Sequence, residues 1–178
     1  MSRCPAAALE LEPVVADPSQ DDATLARTFR TAMRRIASTV MLVTTADEDG
    51  LPYGMAASSV ISVSMAPPSM LVAVNRDASM YPVLARTRRY CVNVLGSEQL
   101  DLLAPFSQSS QRERRFASGD WRRGIGGLPF LDAAPAAIFC ELDRLVDYGT
   151  HALCVGRVID VAFGSAPQPL VWLDGAAR

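Results

Sequence analysis

Short runs rich in β-branched residues, separated by turn residues, recur along most of this chain of 178 residues. Such runs predict β-strands, and helical segments do not alternate with them as they do in β-α-β units. The pattern therefore favours an antiparallel barrel or sandwich of about six or seven strands, with two or three helices, over a doubly wound parallel sheet. The predicted strands cover residues 39–45, 53–64, 70–74, 90–95, 138–143, 152–161 and 170–173.

We expect one domain behind an N-terminal tail, because domains typically hold about 100–200 residues. Residues 1–20 mix Ala, Glu, Pro and Val without periodicity, so we expect them to be a mobile tail and residues 21–178 to form the domain. After two aspartates, apolar residues recur at a spacing near four, which predicts an amphipathic helix. Its apolar positions are Leu25, Phe29, Met33 and Ile36.

Two shorter helices and one irregular segment are predicted farther along the chain. Ser79 is expected to cap a helix that runs through Arg86, with Pro82 tolerated in the first turn. A second short helix is predicted at residues 97–103. Residues 107–127 are polar and rich in Arg and Gly, so we expect an irregular surface segment of the kind that is often functional.

The composition argues against several classes of function. The 17 basic residues are all Arg, the acidic residues number 19, and the formal net charge is −2. This weak charge, without a basic stretch, gives no support for nucleic-acid binding. No apolar run approaches the roughly 18 residues of a membrane-spanning helix, and the N-terminus lacks the order of a secretory signal. We therefore expect a cytoplasmic protein with neither a nucleic acid nor a membrane as its partner.

The four cysteines, Cys4, Cys91, Cys140 and Cys154, are widely spaced. Because none forms a C-x-x-C pair, neither a zinc framework nor a redox dithiol is expected, and no metal site is predicted. The last three lie in apolar runs, where a free thiol usually packs as a small buried group.

Residues 56–64, Ala-Ala-Ser-Ser-Val-Ile-Ser-Val-Ser, combine small side chains with several hydroxyl groups. Small residues in a strand allow a ligand to approach the backbone, and hydroxyl groups offer donors and acceptors. The flat ring of a flavin needs such a surface, with polar groups at its edge. A structural edge strand rich in serine has the same composition, so this stretch by itself leaves both interpretations open.

Two other features also allow a functional and a structural interpretation. An arginine cluster around Trp121 either binds phosphate through its guanidinium groups or forms a solvated surface. The one histidine, His151, follows a turn at Gly149, where it either faces a cleft or makes an ordinary structural hydrogen bond. The cluster consists of Arg112, Arg114, Arg115, Arg122 and Arg123.

In order from about residue 29 to residue 173, short motifs of this chain resemble those of the flavin reductase-like family, whose members fold as FMN-binding split barrels. The family includes the reductase components of two-component aromatic monooxygenases. The motifs are Phe29-Arg30-x-Ala32-Met33, Val43-Thr44-Thr45 followed by Asp49-Gly50, Gly54-Met55-x-Ala57-Ser58-Ser59, Ser62-Val63-Ser64-x-x-Pro67-Pro68, Val92-Asn93-Val94-Leu95, Phe106-Ser107, Arg115-Phe116, Gly149-x-His151, Gly156-x-Val158 and Pro169-Leu170-Val171. Their order over most of the chain makes the resemblance specific.

The resemblance implies a mainly β fold with some α structure: an antiparallel Greek-key split barrel of about six strands with flanking helices. It implies that the phosphate end of the flavin lies near Ser79, Phe106 and Arg112. It also implies that His151 faces the nicotinamide and the flavin as the catalytic residue. The remaining residues implied to bind the flavin are Ser38, Thr39, Met55, Ala56, Ala57, Ser58, Ser59 and Ser62.

Three positions depart from the family pattern. Ala56 stands where many members have Thr, which replaces one hydroxyl contact by a backbone N–H. Thr150 stands where many members have Asp before the histidine, which bears on the charge and orientation of His151. The usual aromatic residue near the C-terminus is absent at Ala176–Ala177.

The implied activity is hydride transfer from NADH, or less readily NADPH, to FAD or FMN, with FAD slightly favoured. Reduced flavin would then pass to a separate monooxygenase that acts on phenolic or chlorinated aromatic compounds, and the reductase would be a homodimer. The cofactors carry this chemistry, so no side-chain nucleophile is required. The alternatives are a non-catalytic flavin-binding or sensing module on the same fold and, with less support, a heme-binding protein on a related split barrel.

Overall fold

The computed structural model describes residues 21–165 and 168–178. The predicted tail at residues 1–20 and Cys4 lie outside the described residues. The chain divides into two units, residues 1–35 and residues 36–178. The predicted start of the domain at residue 21 stays a prediction.

The described part of the first unit is an amphipathic helix, α1 (Asp22–Met33), as the apolar spacing predicts. The side chain of Asp21 caps it, because one carboxylate oxygen accepts a hydrogen bond from the backbone N–H of Thr24 at 2.6 Å. This bond lowers the pKa of the Asp21 carboxyl. No residue of α1 is buried. In the part of the chain that the structure describes, no helix is long and apolar enough to cross a membrane.

The second unit is built mainly from antiparallel strands. Its helices are α2 (Tyr81–Thr87), α3 (Leu103–Ser107) and three 3-10 turns at Ser97–Leu102, Ser109–Arg114 and Ile125–Gly127. Its strands are β1 (Ser38–Thr39), β2 (Met41–Ala46), β3 (Pro52–Ala57), β4 (Val60–Met65), β5 (Pro68–Asn75), β6 (Arg89–Val94), β7 (Trp121–Arg123), β8 (Pro129–Leu131), β9 (Ala136–Tyr148), β10 (His151–Ala162), β11 (Val171–Leu173) and β12 (Ala176–Ala177).

Seven of these strands form one sheet in the order β3-β2-β6-β9-β10-β5-β4. Strands β3 and β4 are its two edges, yet only Ser58 and Ser59 separate them in sequence. Ala57 of β3 and Val60 of β4 pack in the same apolar core, so the sheet curls until its edges approach each other. The result is an antiparallel barrel split between β3 and β4. It confirms the predicted mainly β barrel, with seven strands in the sheet instead of about six.

A second core lies on the other face of β2 and β3. Leu42 of β2 packs there with Phe106 of α3 and Leu131 of β8. Strands β1, β11 and β12 form a three-stranded sheet in the order β1-β11-β12. Strands β7 and β8 form a separate hairpin. These smaller elements cover the outside of the barrel next to β3, where the candidate site is found.

The prediction of one extended strand at residues 53–64 was wrong in one respect, because the structure divides this segment into β3 and β4. Ser58 and Ser59 lie outside both strands and carry the chain from one edge of the sheet to the other. Ala57 and Val60 face the same core although they are three residues apart, so the two-residue alternation shifts at this crossing. The shift depends on which side chains are buried, so the sequence alone does not show the break.

Two predictions about the connecting segments also need correction. Ser79 does not cap α2: the N-cap residue is Met80 and makes no side-chain cap bond, although Pro82 does lie in the first turn. The hydroxyl of Ser79 accepts a hydrogen bond from Arg115 instead. Residues 107–127 are not wholly irregular, because they contain β7, which pairs with β8.

The prediction that Cys91, Cys140 and Cys154 are free and buried is confirmed. Burial raises the pKa of the thiols of Cys140 and Cys154 to about 11. Both therefore stay protonated near neutral pH and act as packing groups inside the barrel.

Tyr90 brings a polar group into the same interior. Its side chain is fully buried, and among the described residues its hydroxyl has no well-formed hydrogen bond, although the thiol of Cys140 lies close to it. Gly156 provides the space for this hydroxyl, since a Cβ at that position would collide with it. Burial raises the pKa of Tyr90 far above its ordinary value, so the hydroxyl stays neutral.

We expect Tyr90→Phe to stabilise the protein by about 1 kcal/mol, because it removes a buried unpaired polar atom and leaves the ring in place. Urea unfolding of the two proteins measures this difference, and the melting temperature should rise by roughly 2–4 °C. A stability lower than that of the unmodified protein would show that the hydroxyl has a partner, such as a buried water.

Candidate functional site

A cavity of about 560 Å³ opens beside the end of β3, within the range of volumes typical of small-ligand sites. Three elements form it: the end of β3, helix α3 with the turn before it, and strand β11. Its lining is mostly apolar, with hydroxyl groups of two serines and the amide group of one glutamine among the apolar side chains. The lining residues are Val40, Ala56, Ala57, Ser58, Leu100, Leu103, Ala104, Ser107, Gln108 and Trp172.

The wall along β3 is made of small side chains. Ala56 faces the second core and is half-buried, whereas Ala57 is buried and also packs in the barrel core. Ser58 follows directly, exposed and outside the strand. This wall leaves room for a flat ring against the backbone, and the predicted residues Ala56, Ala57 and Ser58 do line one site.

Strand β11 supplies the facing aromatic residue. Trp172 lines the cavity and pairs with Ser38 of β1, while Thr39 pairs with Val171. Ser38 and Thr39 therefore lie one strand away from the cavity wall and do not line it themselves. The sequence predicted a strand at residues 170–173 but gave no reason to connect Trp172 with residues 56–58, far away in sequence.

Arg115 connects β3 with the segment that follows α3. Its Nη1 donates to the carbonyl oxygen of Gly54 at 2.6 Å and to the hydroxyl of Ser79 at 3.4 Å, and its Nε donates to the carbonyl oxygen of Pro105 at 3.0 Å. Partial burial lowers the pKa of this guanidinium, and the positive charge of Arg112 lowers it further. Two arginines and Ser79 are thus brought together.

The charge of this arginine pair is unbalanced. Within residues 21–165 and 168–178, neither Arg112 nor Arg115 has an ion-pair partner. Close cations without a carboxylate favour an anion, and guanidinium groups fit phosphate oxygens well. Ser79 and Arg112, which the resemblance places at the phosphate end of the flavin, therefore belong to one group of residues that attracts anions. Arg115 belongs to the same group, although it was not among the residues predicted to bind the flavin.

Phe106 plays a packing role in this arrangement. Its ring is 2% exposed and contacts Phe116 and Trp121, with ring centroids 5.2 and 5.5 Å away. Gly54 permits its close approach to β3, because a Cβ there would lie 2.7 Å from Cε1 of Phe106. Phe106 holds the segment that carries Arg112 and Arg115 against the barrel, instead of presenting a surface to a ligand.

The structure does not bring the other predicted flavin residues into the cavity lining. Met55 alternates with Ala56 and packs against the barrel core. Ser59 donates its hydroxyl proton to the carbonyl oxygen of Ala73 at 3.3 Å. Ser62 is exposed on β4 and pairs with Met70. Ser59 lies beside the cavity wall, next to Ser58, while Met55 and Ser62 face other surroundings.

His151 is the first residue of β10 and is half-buried. It lies opposite Asn75 of β5, and Ser59 is bonded to Ala73 of the same strand. His151 and Ser59 therefore lie at the same end of the sheet with β5 between them and two residues apart along it, which corresponds to roughly 12 Å at the ordinary spacing and rise of strands. This distance suits a second substrate placed over a ring bound at residues 56–59.

A second cavity, of about 640 Å³, has the opposite electrostatic character. Glu98, Asp101 and Asp120 lie in its lining, so it repels phosphate. Among the residues that the structure describes, no three His, Cys, Asp or Glu side chains are grouped to hold a metal ion. The cavity at β3 is therefore the better candidate for a ligand that carries a flat ring and a phosphate.

Comparisons with known proteins agree with this geometry. The model of the flavin reductase like domain matches residues 33–178. The chain is 40% identical over 144 residues to the FMN reductase (NADH) RutF of Pseudomonas syringae pv. syringae (strain B728a), with 81% of this chain and 80% of the relative covered. It is 37% identical over 145 residues to the reductase component of the FADH(2)-dependent resorcinol hydroxylase of Rhizobium sp. (strain MTP-10005), with 81% of each chain covered.

A solved structure shares the fold. The NADH:FAD oxidoreductase SgcE6 of Streptomyces globisporus C-1027, in complex with NAD and FAD fragments, has a TM-score of 0.79 and 29% sequence identity to this chain. The similarity covers 93% of this chain and 96% of that one. Since the family model covers most of the sequence and the barrel is the same, the chain belongs to the flavin reductase-like family of enzymes.

Proposed function

We propose that this protein uses NADH to reduce a flavin held in the cavity beside β3. The observation that carries the proposal is the joint placement of a small-residue wall at Ala56 and Ala57, of Trp172 in the same cavity lining, and of Arg112 and Arg115 beside β3. Among the described residues, neither arginine has an ion-pair partner. Flavin combines a flat, mostly apolar ring with a phosphate group, and these residues match both parts.

In this proposal each group of residues has its own task. Ala56 and Ala57 let the flavin ring lie against β3, and Ser58 and Gln108 bond its polar edge. Arg115, Arg112 and Ser79 bind the phosphate. When bound, the flavin accepts a hydride from the nicotinamide, which no side chain of the protein can do.

His151 is proposed to bind and orient the nicotinamide. His151 lies at the same end of the sheet as Ser59, beside the proposed flavin site. One nitrogen of its ring, Nε2, has no hydrogen-bond partner among the described residues. A hydrogen bond from the protein that fixes the nicotinamide raises the rate by orientation, without the protein taking part in a covalent step.

We further propose that reduced flavin leaves for a separate oxygenase. A relative 37% identical to this chain is the reductase component of a resorcinol hydroxylase, which makes a phenolic compound the first substrate of that oxygenase to test. Proteins named for FMN and for FAD both match this chain, so both flavins are proposed as substrates.

A homodimer, expected from the family resemblance, has support in an exposed apolar face. Ile61 of β4 and Val146 and Tyr148 of β9 are each more than half exposed, on strands of the sheet that also contains His151. Leu153 of β10 lies on the same face, between them. Covering these side chains with a second copy would remove apolar surface from water.

NADH oxidation by the purified chain tests the proposed function. We expect turnover that depends on added FMN or FAD and that is slower with NADPH than with NADH. The loss of absorbance of the reduced nicotinamide measures this turnover. We also expect His151→Ala to lower kcat/KM for NADH by about tenfold or more, which corresponds to the loss of one well-placed hydrogen bond, without changing flavin affinity.

Two outcomes would contradict this proposal. Bound flavin without turnover, with either NADH or NADPH, would identify a flavin-binding module instead of a reductase. Turnover by His151→Ala at the unmodified rate would remove His151 from the site but leave the reductase activity intact.

A further inference from the structure

The residue before His151 makes a contact with its ring. The hydroxyl oxygen of Thr150 lies 2.9 Å from Nδ1 of His151. Thr150 is exposed, and its side chain is not part of the cavity lining. The contact leaves Nε2 as the ring nitrogen that is available to a substrate.

The turn that carries this pair is fastened to β5. The backbone N–H of Arg76 donates to the carbonyl oxygen of Thr150 at 3.1 Å, and the guanidinium of Arg76 donates to the carbonyl oxygen of Gly149. Gly149 has a φ of +57°, a conformation that glycine adopts without strain. Two hydrogen bonds from one residue therefore hold the main chain directly before His151.

We propose that Thr150 is a positioning residue for His151: its hydroxyl donates to Nδ1, so that the ring presents Nε2–H to the nicotinamide. This inference rests on the proposed function only for the identity of the substrate. A neutral imidazole has one donor and one acceptor nitrogen, and the partner of one nitrogen decides the role of the other.

The charged groups at this turn are paired with each other. Arg76 places a positive charge at the turn, and its guanidinium lies 3.8 Å from the carboxylate of Asp147, which balances it. From the neighbouring strands, Asn75 and Tyr148 lie opposite His151. Asp77 is exposed beyond β5. Within the described residues, no carboxylate is hydrogen-bonded to His151.

Threonine at position 150 can donate a proton, which a carboxylate cannot do. An aspartate at this place accepts a proton from Nδ1–H and so leaves Nε2 as an acceptor or favours the charged ring. The hydroxyl of Thr150 permits the opposite arrangement, in which Nε2–H is a donor. Such a donor suits the carbonyl oxygen of the nicotinamide carboxamide group.

The single histidine of this chain makes the proposal directly measurable. Nitrogen NMR of the full-length, 15N-labelled protein reads the two ring nitrogens without assignment, at a pH where the ring is neutral. We expect Nε2 to carry the proton in the unmodified protein and in Thr150→Ser. We expect a mixture of both tautomers in Thr150→Val, which has a similar shape but no hydroxyl.

Kinetics provide the second measurement. We expect the KM for NADH of Thr150→Val to rise about fivefold, the effect of one neutral hydrogen bond, with kcat and the KM for flavin nearly unchanged. Thr150→Ser should stay within about twofold of the unmodified protein, since it retains the hydroxyl. A purely structural role would change thermal stability instead, and Ser would not restore the KM.

The outcomes separate the two proposals. A dominant Nδ1–H tautomer in the unmodified protein overturns the role of Thr150 whatever the activity. A tautomer ratio in Thr150→Val equal to that of the unmodified protein overturns it as well. An unchanged KM in Thr150→Val also overturns it. Absence of NADH oxidation in the unmodified protein overturns the proposed function alone, since the tautomer is measured without substrate.

Discussion

Ala56→Phe is expected to abolish flavin binding, with a dissociation constant raised by at least about a hundredfold, or roughly 2.7 kcal/mol. The side chain of Ala56 lies on the wall of the cavity, where the flavin ring must approach the backbone. A phenyl ring there would occupy the space between β3 and α3 that the ligand needs. Because Ala56 is only half-buried, the larger side chain can turn into the open cavity and leave the barrel intact.

Quenching of flavin fluorescence measures the binding, and NADH oxidation should be lost in parallel. Ala66→Phe is the matched control, because Ala66 is exposed just after β4, at the opposite end of that strand from Ser58 and Ser59. We expect this control to bind flavin with the affinity of the unmodified protein. Unchanged affinity in a folded Ala56→Phe would place the flavin elsewhere and remove the cavity beside β3 from consideration.

Asn93→Leu is expected to lower the free energy of unfolding by about 2–4 kcal/mol. Asn93 is fully buried on β6 and donates from Nδ2 to the carbonyl oxygen of Leu42 at 2.9 Å and to the hydroxyl of Thr44 at 3.2 Å. Its Oδ1 accepts the backbone N–H of Leu131 at 2.8 Å. Leucine has a similar size but leaves that buried N–H unpaired, so the β7–β8 hairpin loses one of its polar links to the barrel, while the bond from the Thr44 hydroxyl to the carbonyl oxygen of Pro129 remains.

Urea unfolding followed by circular dichroism measures this loss. Thr31→Ala on α1 serves as the control, since Thr31 is exposed and its hydroxyl bonds only within the helix, to the carbonyl oxygen of Arg27. We expect the control to change the free energy by less than about 0.5 kcal/mol. An Asn93→Leu variant as stable as this control would show that the hydrogen bonds of Asn93 do not contribute to the free energy of unfolding.

The strands and α1 were predictable because their signals are local. In β5, Met70, Val72 and Val74 alternate with less buried residues, which is the period of a strand with one face in a core. In α1, Leu25, Phe29 and Met33 recur at the period of a helix. The capping role given to Ser79 was wrong because its hydroxyl bonds to Arg115, a residue that no local pattern connects with it.

The site was predictable only in part, for the same reason. Ala56, Ala57 and Ser58 were singled out as part of a small, hydroxyl-rich stretch, were assigned to flavin through the family resemblance, and do line the cavity. Trp172 was missed, because the family pattern directed attention to Ala176–Ala177 as the place of a C-terminal aromatic. Arg115 appears in a motif, but its bonds to Gly54 and Ser79 depend on how the segment after α3 lies across β3.

The sequence by itself therefore determined the strand and helix types, the buried cysteines and the membership of a flavin reductase-like family. These properties depend on side-chain period and on short motifs, which are read without knowledge of the fold. Only the tertiary structure decided that the chain crosses between sheet edges at Ser58 and Ser59, and that Trp172 and Arg115 lie at the cavity and beside it. Such contacts join residues distant in sequence, and strand register and the curl of the sheet decide which of them meet.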